Sequence, residues 1–182
     1  GNATENFRLS LGHRKTMGTS IGVSYESVSG AFDYKKKANK VDITTSVRVS
    51  NAVQQGQLEG SSYFAAPQMT RIFMSPFQQV KNADGTLNTN LSTSVFNTVY
   101  LAENNISELD GTRALSNTAL TYSFSDNLKF QTRYSLDYNL TNSHRYQNAV
   151  HGGGVSDNGY AYQSTGRSFT WAFANQLKWD QT

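Results

Sequence analysis

Cysteine is absent from the 182 residues, so neither a disulfide framework nor a thiolate metal site is available to this chain. No hydrophobic run approaches the ~20 residues that a membrane helix needs. The opening Gly1-Asn2-Ala3-Thr4-Glu5-Asn6 is polar and is followed by no apolar signal-peptide core. A broad basic stripe is missing too. The net charge is only +3, and part of it comes from Lys35, Lys36, Lys37 and Lys40, which argues against nucleic acid as a partner. None of these absences excludes a membrane β-barrel, whose strands carry a weak alternating signal rather than a long apolar run.

What is present is unusual in combination. Only 37% of residues are hydrophobic and the mean hydropathy is -0.55, yet ten Tyr and ten Phe raise the aromatic share to 12%. Disordered chains are poor in aromatics, so disorder fits badly. The apolar residues must be large and selectively placed, with Asn, Ser, Thr, Gln and Gly filling turns and wet strand faces.

Alternation shows where they are placed, because successive strand side chains point to opposite faces. Over 128–138, Leu128, Phe130, Tyr134, Leu136 and Tyr138 share one face, against Lys129, Gln131, Arg133, Ser135 and Asp137. Over 169–179, Phe169, Trp171, Phe173, Leu177 and Trp179 do the same, and 41–49 alternates Val41, Ile43, Thr45, Val47 and Val49 with polar residues. Shorter matches at Phe7–Leu11, Ile21–Tyr25 and Leu120–Phe124 bring the expected strands to six. Ser125-Asp126-Asn127 reads as a tight hairpin turn, whereas 53–114 and 139–167 read as long connections, the first with short helices over Ser61–Met74 and Val95–Asn104. Short turns at one end and long loops at the other suit an outer-membrane barrel. The competing reading is a soluble β-sandwich acting as a carbohydrate-binding module, in which the same aromatic faces pack into a core.

The order of the pieces resembles the SusC-like (RagA-like) TonB-dependent outer-membrane transporters. Phe7-Arg8-Leu9-Ser10-Leu11-Gly12 and Ser20–Tyr25 precede Ser29-Gly30-Ala31-Phe32, and a loop follows with Ser75-Pro76-Phe77 and Asp84-Gly85-Thr86. Then come Leu101–Asn104, Arg113 with Asn117, Tyr122, Leu128-Lys129-Phe130 and Asp137-Tyr138, and last Trp171, Asn175, Leu177 and Trp179. Trp179 departs from the family pattern, which more usually has Tyr there. The resemblance implies an all-β antiparallel meander over 1–182, part of a large transmembrane barrel without plug, TonB box or signal peptide. It implies import of glycans, peptides or other large nutrients across a Gram-negative outer membrane, with a SusD-like lipoprotein as lid and the TonB complex as energy source. The piece alone is not expected to transport, and its open strand edges favour self-association. Phe169, Trp171, Phe173, Leu177 and Trp179 are then expected to face lipid. Tyr63, Phe64, Phe73, Phe77, Tyr100, Tyr146, Tyr160 and Tyr162 are expected in outer loops, contacting substrate or partner.

Catalytic and cofactor signatures are weak. His144 and His151 lie near Asp157 but lack a third ligand at metal spacing, and His13 stands alone. His151-Gly152-Gly153-Gly154 has no following Lys-Ser or Lys-Thr pair, and no Gly-x-Ser-x-Gly elbow occurs. Glu103, Glu108 and Asp110 read as a solvated turn rather than a pair of catalytic carboxylates. Accordingly no catalytic residue, metal or cofactor is expected.

Overall fold

The computed structural model describes residues 4–58, 66–91 and 94–180. Its framework is one six-stranded antiparallel meander: β1 (Glu5–Met17), β2 (Ser24–Ala38), β3 (Val41–Gln55), β4 (Ile106–Ser123), β5 (Leu128–Gln147) and β6 (Tyr160–Trp179), each paired with its neighbour in sequence. Two short helices, α1 (Pro67–Phe73) and α2 (Thr98–Asn104), lie between β3 and β4, and a 3-10 turn spans Val155–Asp157.

Each strand pairs with the next in sequence, and the two shortest connections fall at one end. There Asn39 and Lys40 join β2 to β3, and Asn39 adopts φ 48, a left-handed conformation that Asn tolerates better than most residues. Residues 124–127 join β4 to β5, where Ser125 Oγ accepts the Leu128 N–H at 3.1 Å. At the opposite end lie the turn at 18–23 and the longer connections 56–105 and 148–159.

Several sequence expectations are corrected here. The strand expected over Ile21–Tyr25 begins only at Ser24, since 18–23 is the β1–β2 turn, and the lysine run 35–37 belongs to β2. Both long connections are shorter than their polarity suggests. Residues 106–114 are strand, as are 139–147 and 160–167. Glu108 and Asp110 therefore sit on β4 rather than in a turn, bonded to Gln55 Nε2 at 3.1 Å and Asn51 Nδ2 at 2.6 Å. The expected helices shrink to α1 and α2; residues 59–65 of the first lie outside the described residues.

Among the described residues no layer covers either face of the sheet. No strand residue is buried, and among the described residues the buried apolar side chains are Ala66, Val95 and Leu101, all in the connections. A soluble sandwich needs a second sheet over its apolar face, and the described strands form only one.

Candidate functional site

Register converts the one-dimensional alternation into two surfaces, because residues opposite one another in a ladder share a face. One ladder row reads Leu11, Gly30, Val49, Ala114, Tyr138 and Phe169 from β1 to β6. Two residues further toward the tight turns, the row is Leu9, Phe32, Val47, Ser116, Leu136 and Trp171, and beyond it Tyr134 faces Phe173. Closer still to the turns, Val41, Tyr122, Phe130 and Leu177 continue the same surface. The result is a continuous apolar face crossing all six strands. Its rings touch each other: Phe32 stacks on Tyr34 at 6.5 Å, and Tyr122 meets Phe124 edge-on at 4.9 Å.

The apolar character stops abruptly. Four residues beyond the Leu11 row, the same face reads Lys15, Glu26, Val53, Asp110, Asn142 and Thr165. These groups satisfy one another. Glu26 bonds His13 Nε2 at 2.9 Å and Lys15 Nζ at 3.2 Å, which holds its carboxyl below the ordinary range, and Thr165 donates to Asn142 Oδ1 at 2.9 Å.

The five residues expected to face lipid share this face and are well exposed, from Phe173 at 59% to Trp179 at 74%. Fully removing one such side chain from water is worth about 1.5–3 kcal/mol, so an uncovered band of this kind is unfavourable in water and implies an apolar covering.

The opposite face is polar. Arg48 pairs with Asp33 at 2.7 Å and Arg113 with Asp137 at 2.8 Å, in both cases across neighbouring strands. A depression of about 450 Å³ opens among Thr44, Ser46, Asn117, Gln131, Arg133 and Ser135.

At the far end from the tight turns, the connections knit around one histidine. His151 is buried, and its Nε2 accepts the backbone N–H of Asn97 at 2.7 Å. That bond assigns the proton to Nδ1 and keeps the ring neutral. Phe96 and Tyr100 approach the ring edge-on at 5.1 and 5.3 Å. Asn148 accepts the N–H of His151 at 2.8 Å and donates to the His151 carbonyl at 2.9 Å, while its own backbone N–H reaches Asn105 Oδ1 at 2.9 Å. Gly152 adopts φ +107 directly over Leu101, where an added Cβ would lie 2.5 Å from Leu101 Cδ2. This is a structural clasp between 148–159 and α2.

Burial lowers the pKa of His151 below its ordinary value. The sign follows directly: the unfolded clasp binds the proton more readily, so stability is full above the ordinary histidine pKa of about 6.5 and declines as pH falls below it. Amide exchange of 148–159, corrected for intrinsic rate, is therefore expected to accelerate severalfold between pH 7.5 and 5.5. Unchanged protection across that interval would remove His151 from the clasp's support.

The expected loop aromatics divide. Tyr100 packs on His151, Phe73 ends α1, and Phe77 is 93% exposed beyond it. Tyr63 and Phe64 lie outside the described residues. Tyr146, Tyr160 and Tyr162 are corrected from loop to strand: Tyr146 is on β5 and the other two on β6. Tyr162 stands opposite Arg145 on the polar face, whereas Tyr146 lies on the other face opposite Ala161. Among the described residues no group of three His, Asp or Glu side chains is placed to hold a metal. Asn97 and Asn148 were missed in the sequence as buried residues; the only local signal was Asn97 directly before α2, in a helix-capping position.

No protein-family model matches the chain, and no curated protein matches it.

Proposed function

We propose that this chain is a wall segment of a large outer-membrane β-barrel, in a nutrient importer of the SusC-like TonB-dependent kind. The observation that carries the membrane reading is the apolar band. On β6 it runs from Phe169 to Trp179, about 33 Å of strand at 3.3 Å per residue, or about 25 Å of height at a tilt near 40°. That height matches the apolar belt of an outer-membrane barrel.

The band's lower margin supports a tilt. The row containing Phe7 on β1 reaches Phe173 on β6, yet on β6 the band continues six residues further to Trp179. Strands about 4.8 Å apart and tilted by about 40° shift the membrane level by about 1.2 residues per strand, or about six over five steps. The upper margin is flat, closed in one ladder row by Arg167 on β6 and by His13 on β1, the latter bonded to Glu26 of β2.

In this reading the tight turns face the periplasm, and the His151 clasp with α1 and α2 stands outside, beneath a SusD-like lid. The importer assignment rests on the sequence resemblance. Glycans or peptides would pass along the polar face of a closed barrel, driven by the TonB complex, and β1 and β6 would pair with further strands.

The test uses the two tryptophans, since the chain has no others and both lie on the apolar face. In phospholipid vesicles, acyl-chain bromines near the bilayer centre are expected to quench Trp171 more than Trp179. Bromines near the headgroups are expected to reverse that order, with Trp171→Phe and Trp179→Phe resolving the two signals. Emission insensitive to bromolipid at every depth would defeat the membrane reading.

A further inference from the structure

Charge is divided unequally between the two faces of the sheet. On the outward apolar face, the carboxylates of Glu5, Glu26, Glu108 and Asp110 accompany Lys15, Lys36 and Arg167. The polar face carries only Asp33, Asp42 and Asp137 on its strands, and each has a basic neighbour: Arg48, Lys37 and Arg113 respectively. Cations remain in excess. Lys129 and Lys178 lie nearest the tight turns, Lys35 and Arg133 share one ladder row further along with Arg8 one row beyond it, and Arg14 and Arg145 lie toward the outer end. None of these seven forms an ion pair among the described residues.

Lys129 and Lys178 stand directly opposite each other in the β5–β6 ladder. Like charges in that relation destabilise a sheet unless an anion lies between them. Lysine is depleted at protein–protein interfaces and their cores are apolar, so this face is poorly suited to an acidic protein. Its setting suits a hydrated chain instead. Ser46, Asn117, Gln131 and Ser135 surround Arg133 with neutral hydrogen-bonding groups, and Tyr162, about half exposed, stands opposite Arg145, with Tyr160 two residues along the same strand opposite Gln147. Flat rings beside a guanidinium take the C–H face of a sugar and its charged substituent together.

The geometry points to a polyanionic oligosaccharide, bearing sulfate or carboxylate groups, as the ligand of the polar face. Rows of Lys and Arg along a wet passage select anions in this way. The inference deepens the importer reading and rests on the polar face lining a lumen.

The test is calorimetric titration of the full chain, folded in zwitterionic detergent, with a heparin-derived sulfated hexasaccharide at several salt concentrations. An uncharged dextran hexasaccharide and a hexaglutamate peptide are titrated in parallel. The sulfated sugar is expected to bind, with affinity falling as salt rises. The pair Arg133→Gln and Arg145→Gln should weaken it about tenfold at low salt and reduce the salt slope by roughly one per cation engaged. Lys15→Gln, on the opposite face, should leave both unchanged, and dextran should not bind. Absence of sulfated-sugar binding overturns the inference, as does equal weakening by Lys15→Gln. Tighter binding of hexaglutamate than of the sugar also overturns it and assigns the face to an acidic polypeptide. Bromodetergent quenching of the tryptophans on the same samples separates the failures. Quenched tryptophans without sugar binding overturn this inference alone, and unquenched ones overturn the membrane reading beneath it.

Discussion

On the proposed membrane reading, Phe173→Arg is expected to lower folding stability in lipid vesicles by about 2–4 kcal/mol, the cost of a guanidinium on a lipid face near the bilayer midplane. Phe173 lies near the middle of the β6 band, opposite Tyr134, with Trp171 and Leu177 on the same face. In that setting an arginine would not reach either interface without dragging water or distorting the bilayer. Two comparisons make the number informative. Trp179→Arg, at the lower margin, should cost only about 0–1 kcal/mol, because the penalty falls toward the interface. Ala172→Arg, one residue away but on the polar face opposite Ser135, should fall within about 0.5 kcal/mol of the parent. Denaturant unfolding in vesicles, followed by tryptophan emission, ranks the three. Equal costs for Phe173→Arg and Ala172→Arg would mean that the two faces do not differ in solvent, and the membrane band would be lost as an idea.

The same band explains which parts of the fold were legible in the sequence. Residues 41–49, 128–138 and 169–179 announce themselves as strands because alternation records a difference in environment between the two faces. Above the band that difference vanishes. Asn142, Ser143, His144 and Arg145 continue β5, and Gln163, Ser164 and Thr165 belong to β6, with water-compatible side chains on both faces. Their backbone ladder is unchanged, yet nothing in their composition separates them from a loop. β2 was obscured differently. Phe32 and Tyr34 alternate with Asp33 and Lys35, but Lys36 then falls on the apolar face at the level of Glu5, so the lysine run hides the period. The clasp was least legible. Burying Asn97, Asn148 and His151 requires partners drawn from 80–105 and 148–151, and no local pattern specifies those long-range pairings.

Asn97→Ala should have the largest effect at the outer end, lowering the local stability of the clasp by about 2–4 kcal/mol. Asn97 is 2% exposed, and both ends of its amide are occupied. Its Oδ1 accepts the N–H groups of Val99 and Tyr100 at 3.1 and 3.3 Å, capping α2, while Nδ2 donates to the carbonyls of Val80 and Asn88 at 2.8 and 2.9 Å. Loss of the cap costs about 1 kcal/mol, and the Asn88 carbonyl left without its donor adds about 1–3 kcal/mol, whereas the Val80 carbonyl still accepts the Asn88 N–H at 2.9 Å. A helix as short as α2 cannot sustain itself without tertiary support, so its loosening should reach Leu101 and, through the Asn97–His151 bond, residues 148–159. Hydrogen exchange should show loss of protection in 80–105 and 148–159 with the sheet unaffected. Asn97→Asp divides the effect. It keeps the cap acceptor but removes both donors and sets a carboxylate against two carbonyls, so 98–104 should stay partly protected while 80–90 opens. If Asn97→Ala leaves exchange in 148–159 unaltered, the connections are held by something other than this clasp. The outer end would then be a set of independent loops rather than one rigid unit on which a lid could rest.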